Sequence, residues 1–292
     1  MLRRLIHPGN ILGITFLVFL GLLFLIFPNP ENLLENYSLI TPLAFLAATL
    51  ANATALGGGF LFIPLFIFMY GLSSVSALKL SLATQAFGMT AGVIGWSTKN
   101  ILWPALRINL CGAIPGMLVG TFFYFPDANV IKITFAIISL IAAIAIIVES
   151  KWGGAAQRES LPILPPAYTG IFLCLSFFAG MLNAWVAIAM GEFVVLWLLF
   201  LCKIRIEKAI ATGVASLAIC SILGFISHIF LGGIPWAMLM FSAPAVLAGG
   251  YTGAKLGAYL EKRHQTRNSS LSPLRLIFVI ILLIDSFIML YK

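Results

Sequence analysis

Leu56-Gly57-Gly58-Gly59-Phe60-Leu61-Phe62-Ile63-Pro64 breaks an apolar segment in the first half of the chain. Ala189-Met190-Gly191-Glu192-Phe193-Val194-Val195-Leu196-Trp197 breaks one at the corresponding place in the second. Later landmarks stay in register: Gly58 and Gly191, Trp103 and Trp236, Gly116 and Gly249, and Gly120 and Gly253 are each 133 positions apart. Unrelated halves would not keep four such pairs in step, so the chain reads as a tandem duplication. Paired, glycine-broken apolar segments are the sequence pointer to a transporter binding site.

Of the 292 residues, 61% are hydrophobic and 9% charged, with a mean hydropathy of +1.09. A soluble domain carries about 25% charged residues, so this chain cannot build a water-facing surface. Lipid as solvent admits only helices or a closed barrel, and the apolar runs are continuous rather than alternating. The expected fold is therefore an all-α polytopic membrane protein. The net charge of +8 comes from basic residues scattered singly between apolar runs, with no stripe and no aromatic interleaving, so nucleic acid is not the expected partner. Cys111, Cys174, Cys202 and Cys220 lie inside apolar segments without CxxC spacing; they read as small packing residues, and no metal or other cofactor is expected.

Residues 1–27 resemble a secretory signal, but Phe27-Pro28-Asn29-Pro30 offers no small-x-small cleavage site, so a retained first helix is expected over roughly 10–27. Punctuation by Pro, Gly and charge divides the rest into an N-terminal part (1–37), a first repeat (38–149), a polar linker (150–166) and a second repeat (167–292). The first repeat holds apolar segments near 38–56, 59–71, 77–97, 104–125 and 130–148. The second holds 167–189, 191–202, 208–231, 234–256 and 273–291. Full spans need about 20 residues, and the two short segments, 59–71 and 191–202, occupy matching positions. With the N terminus in the cytoplasm, fourteen of the 17 Lys and Arg fall on the cytoplasmic side and only Lys79, Lys132 and Lys292 outside. An odd number of segments per repeat makes the second repeat run opposite to the first and leaves the C terminus external. The Gly57–Gly59 break then opens from the cytoplasmic side and Gly191 from the external side. The expectation is two inverted-topology repeats whose re-entrant hairpins meet near the midplane of a plasma (inner) membrane. The alternative is a pair of short, tilted spans.

At these residues the chain resembles the sulfite exporter TauE/SafE family, also called the toluene sulfonate uptake permeases. The first set of motifs reads Leu56-Gly57-Gly58-Gly59…Pro64, then Ala77-Leu78-Lys79-Leu80-Ser81-Leu82-Ala83-Thr84, then Pro115-Gly116-Met117-Leu118-Val119-Gly120. The second reads Ala189-Met190-Gly191-Glu192, then Lys208 to Ser216 with Thr212 inside, then Gly249-Gly250-Tyr251-Thr252-Gly253. The resemblance spans roughly 38–291. It implies transport of sulfite, sulfonates such as sulfoacetate, or related small organic acids. The second copy departs from the pattern, because Met190-Gly191-Glu192 stands where a fuller glycine run is expected; this points to an asymmetric site.

Several residues are candidates for that site. Gly57, Gly58 and Gly59 permit a sharp turn that exposes N–H groups at the positive end of the following helix, or else serve close packing. Asn52 and Asn183, just before the breaks, either orient a substrate oxygen through amide donors or cap the broken backbone. Ser81, Thr84 and Gln85 cluster on one segment, with Thr212 and Ser216 on the matching one. These either donate to a weakly basic sulfonate or serve helix packing. Lys79 breaks the charge pattern; it either neutralises an anion or snorkels to the external interface. Gly191 marks the second break. Glu192, His228 and Asp285 are intramembrane titratable groups, hence candidates for proton coupling. Gly116-x-x-x-Gly120, Gly249-x-x-x-Gly253 and Gly88-x-x-x-Gly92 read as close helix contacts, within the chain or in a homodimer.

The expected function is a secondary transporter of small organosulfur anions, with an anion channel or a carrier of non-sulfur acids as alternatives. No Walker motif, HExxH or GxSxG is present, and His7, His228 and His264 are scattered without ligand spacing, so enzyme function is not expected. The expected partners are membrane lipid and a small anion.

Overall fold

In the computed structural model, the described residues are 18–265 apart from 20, 23, 28, 55–56, 124–126 and 153–157, together with 279–280, 283–284 and 286–287. Among them the secondary structure is helical, with no strand. The helices are α1 (Pro30–Tyr37), α2 (Ile40–Thr54), α3 (Gly59–Tyr70), α4 (Ser74–Trp96), α5 (Trp103–Phe122), α6 (Ala128–Trp152), α7 (Pro166–Val186), α8 (Met190–Leu196), α9 (Ile206–Leu231) and α10 (Trp236–Gln265). Five stretches are long and apolar enough to cross a membrane: Ser74–Trp96, Trp103–Phe122, Pro166–Val186, Ile206–Leu231 and Trp236–Leu260. A sixth is added if α1 and α2, bent by 46°, count as one span. The protein is thus a multi-pass helical membrane protein. Ile133, Ile137, Ile141 and Ile144 form an exposed stripe at helical spacing on α6, a face suited only to lipid.

Local sequence sets the helix ends. Ser73 starts α4 by accepting the Ser76 N–H at 3.2 Å. Gly71 ends α3 in the left-handed conformation at φ 65°, where its N–H and that of Leu72 return to the Ile67 and Phe66 carbonyls. Pro104 and Pro166 occupy first-turn positions of α5 and α7, where a missing N–H costs nothing. The second short segment is α8 followed by a π-helical turn, Trp197–Leu201.

Both short helices double back on the helix before them. Tyr37, at the end of α1 just before α2, meets Tyr70, at the tail of α3, with ring centroids 6.0 Å apart. Phe172 near the start of α7 stacks on Trp197 just beyond α8, at 4.9 Å.

The long helices sort into two groups. In one, α2, α4 and α10 run parallel. Thr41 bonds the Phe241 carbonyl and Thr49 the Gly249 carbonyl, both at 3.3 Å, and a Cβ on Gly88 would meet Val246. In the other, α5, α7 and α9 run parallel: Gly112, Gly116 and Gly120 abut Leu173, Phe177 and Met181 in turn, while Leu102 N–H and Asn109 bond Thr212 and Ser216. The groups are antiparallel, because the start of α4 (Lys79) bonds the end of α9 (Gly232 carbonyl, 2.9 Å). The exchange is reciprocal: the first helix of each half packs on the fourth segment of the other, α2 on α10 and α7 on α5. Gly116 and Gly120, like Gly249 and Gly253, therefore serve intrachain helix packing. A Cβ on Gly116 would lie under 3.0 Å from the Phe177 carbonyl oxygen. Gly116→Val is expected to destabilise the fold by about 3 kcal/mol or more, read as a drop in the detergent-solubilised melting temperature.

The linker is pinned to the turn before α9. Arg158 N–H donates to the Lys203 carbonyl at 2.7 Å and Arg205 N–H to the Arg158 carbonyl at 3.1 Å. Glu159 pairs with Arg205, and with Lys208 at 2.8 Å. Hydrogen bonds from Lys208 and then Arg205 pull the Glu159 carboxyl down from its ordinary 4.5 to about 2. A lowered folded-state value means this contribution is fully present above about pH 4.5 and lost as pH falls through about 2. Backbone hydrogen exchange at Arg158 and Arg205, whose N–H groups make these bonds, is therefore expected to rise on Glu159→Gln at neutral pH.

Candidate functional site

The two breaks meet. Gly57 donates its backbone N–H to Glu192 Oε1, across 135 residues of chain. Gly58 occupies the N-cap position of α3 with φ −59° and ψ −18°, and no side chain caps this helix. Its carbonyl accepts the Leu61 and Phe62 N–H groups at 3.0 and 2.9 Å. The sequence points to a sharp turn at these glycines, but none of the three has a positive φ. Their reason is close approach instead. A Cβ on Gly59 would lie under 3.0 Å from the Ala187 carbonyl, and one on Gly58 would strike the Phe62 ring and stand 3.1 Å from Gln85 Cγ.

In the second break the strained positions are alanines. Ala187 and Ala189 are left-handed, at φ 55° and 82°, a conformation costing roughly 1–2 kcal/mol per residue without glycine. Such strain persists where neighbours hold the backbone in place. Here Gln85, from α4, donates through Nε2 to the Ala187 carbonyl at 2.6 Å and accepts from Ser221 Oγ at 3.3 Å. Ser81 completes the cluster, 3.4 Å from Gln85 Nε2. Each break is thus held by a polar side chain of the other half: Glu192 on Gly57, Gln85 on Ala187. All these side chains are buried, Gln85 and Ser81 fully and Glu192 at 7% exposure.

The junction gathers Gly57, Gly58, Gly59, Ser81, Gln85 and Glu192 from the expected residues. Gly191 lies beside it, its carbonyl packed against Gly213 of α9. Asn52 and Asn183 flank the breaks, each with one amide donation inside the chain. The Asn52 amide donates to the Ala48 carbonyl at 3.0 Å, and that of Asn183 to Met117 Sδ at 3.6 Å. Their buried Oδ1 atoms have no partner, so each also offers a free acceptor.

Other candidates are engaged elsewhere. Thr84 bonds Ser242 at 3.0 Å. Thr212 takes the Leu102 N–H at 2.9 Å, capping the approach to α5. Ser216 donates to Asn109 Oδ1, and Asn109 in turn donates to Ser176 at 2.9 Å. Lys79 stands about 9 Å along α4 from Gln85, with its ammonium on the Gly232 carbonyl at 2.9 Å and its charge acting on His228. The buried ring nitrogens of His228 have no hydrogen-bond partner. Asp285 lies outside the described residues. No group of three or more His, Cys, Asp or Glu suited to a metal occurs among the described residues.

A family model described as "Sulfite exporter TauE/SafE" matches residues 40–289, nearly the whole helical body. The chain belongs to the sulfite exporter TauE/SafE family. It is also similar to the "Probable membrane transporter protein YunE" of Bacillus subtilis (strain 168), with 23% identity over 255 residues, covering 80% of this chain and 91% of that protein. No solved structure matches. In this TauE/SafE member the matched region encloses both breaks and every helix that supports them.

Sequence reasoning missed Asn109, Ser176 and Ser221. Asn109 had a visible signal, since a lone Asn in an apolar segment needs a partner as much as Asn52 or Asn183 does. Serines carry no comparable signal, because most in membrane helices bond their own backbone.

Proposed function

We propose that this TauE/SafE transporter is a secondary carrier that exports small organosulfur anions, sulfite or sulfonates of the sulfoacetate kind, by alternating access at the junction of the breaks. One observation carries this reading: two interrupted helices from opposite halves meet in the buried core, with backbone donors, Gln85 and Glu192 at the meeting point. Irregular backbone at membrane depth is tolerated only where it is buried in protein or lines a cavity. The halves act as inverted repeats and each doubled-back pair as a re-entrant hairpin. The antiparallel course of α4 and α9 and the reciprocal helix exchange support this. The basic cluster of Arg158, Lys203, Arg205 and Lys208 collects at one end of the molecule and Lys79 at the other, which supports a cytoplasmic linker in a plasma membrane.

The anion sits at the head of α3, where a helix N-terminus favours negative charge. Export of an anion from a negative-inside cell is assisted by about 2.3 kcal/mol per charge per 100 mV. In proteoliposomes, radiolabelled sulfite flux is expected to saturate and to accelerate when unlabelled sulfite or sulfoacetate is loaded on the opposite side. Non-saturating flux without counterflow would identify a channel, and counterflow by carboxylates alone would overturn the sulfur assignment.

A further inference from the structure

We propose that Glu192 is a tethered competitor of the transported anion: its carboxylate occupies the anion position at the Gly57 N–H, and the anion binds only when protonated Glu192 withdraws. This rests on the substrate site proposed above and adds the event that opens it.

Gly57 N–H, at the uncapped head of α3, is the donor an incoming sulfonate or carboxylate oxygen would seek, and it already holds Glu192 Oε1. The backbone amides of Ala189 and Glu192 lie against the same carboxylate. Its other oxygen, Oε2, is buried without a partner. Oε2 therefore has a free lone pair to offer a proton.

No cation neutralises the group. Among the described residues α3, α7 and α8 carry no other charged side chain. On α9, Glu207 and Lys208 belong to the linker cluster, His228 lies near the opposite end, and between them is the buried thiol of Cys220. On α4 the charge is Lys79, tied to Gly232; on α5 it is the exposed Arg107. Two anions therefore cannot share the junction, because nothing there offsets the second.

The exchange balances in charge. Ionised Glu192 leaves Gly57 only by giving up that donor while its charge stays in an apolar core with no cation beside it. A proton on Oε2 makes the side chain neutral and weakens its hold on Gly57 N–H, which one monovalent anion can then take in its place. The occupied site then holds the same net charge as the empty one. Anion and proton binding are linked whichever way the transport cycle runs.

The test measures binding of ethanesulfonate, which stays ionised throughout, and of propionate, to detergent-solubilised protein from roughly pH 5 to 8. Wild-type affinity is expected to fall by up to about tenfold per pH unit once Glu192 is ionised, with proton uptake accompanying binding in weakly buffered solution. Glu192→Gln keeps an acceptor for Gly57 N–H. It is expected to bind the anion about tenfold or more tightly at pH 8, with no pH dependence and no proton uptake. If the Glu192→Gln variant cannot be purified, proton uptake by the wild type decides alone. Wild-type binding that is independent of pH and takes up no proton, or weaker binding by Glu192→Gln, overturns the competitor role and leaves the transport reading standing. Propionate binding with this pattern but no ethanesulfonate binding supports the competitor and overturns the sulfur assignment. Binding of neither anion to either protein overturns both.

Discussion

Gly59→Val is expected to abolish substrate counterflow and to lower the melting temperature of the purified protein. The position tolerates no Cβ, because the Ala187 carbonyl and Ile188 side chain already stand under 3.0 Å from where it would be. The obstacle is largely backbone, so no rotamer change relieves it; one break has to move away from the other. Overpacking of this kind costs about 1–3 kcal/mol and sometimes more. Displacement also withdraws Gly57 from Glu192 and Ala187 from Gln85, removing both cross-half bonds. Gly71→Ala at the far end of α3 provides the contrast. There a Cβ meets nothing within 4 Å, and the cost is confined to the left-handed φ of 65°. Its expected effect is a modest loss of stability with counterflow retained. Equal loss of transport in both variants would show that α3 matters as a helix and not through its contact with the second break.

Gln85→Leu is expected to reduce counterflow by about tenfold or more at near-unchanged expression. Leucine keeps much of the volume but removes the donor to the Ala187 carbonyl and the acceptor for Ser221. A buried polar group stripped of its partner costs about 1–3 kcal/mol, and each 1.4 kcal/mol in a barrier is about tenfold in rate. Ala187 sits in a left-handed conformation that needs support, so loss of this bond loosens the second break in particular. Thr84→Val, one position away and bonded instead to Ser242, should leave transport close to wild type. Similar losses in both variants would place the sensitivity in α4 packing generally.

Much of the architecture was legible because lipid imposes simple rules. Continuous apolar runs marked the spans, and the two short runs, 59–71 and 191–202, are α3 and the α8 region, each packed back along the helix before it. The glycine pairs at 116/120 and 249/253 read correctly as close helix contacts. What the sequence left open was their partners. That Gly116 faces Phe177 and Gly253 faces Thr49 follows from an exchange of helices between halves, and residues so far apart in the chain carry no mutual signal. The candidate site was half visible. Glycine and Glu192 stand out at the breaks, yet glycine there suggests turning, whereas Gly57 and Gly59 serve contact with Ala187 and Gly58 makes room for Phe62 and Gln85. Gln85 and Thr84 look equivalent because the two are neighbours in sequence. Only the three-dimensional arrangement separates them, sending Gln85 to the opposite break and Thr84 to α10.

The central claim, that the meeting of the breaks is the substrate site, is tested most directly by locating a bound anion. A crystal structure with 2-bromoethanesulfonate, read by the anomalous signal of bromine, gives its position independently of any transport assay. The expected result is a bromine peak at the head of α3, with the sulfonate oxygens on Gly57 N–H or Gln85 and the Glu192 side chain displaced. A peak only at the Lys79–His228 end of the molecule, with Glu192 still on Gly57, would contradict the account.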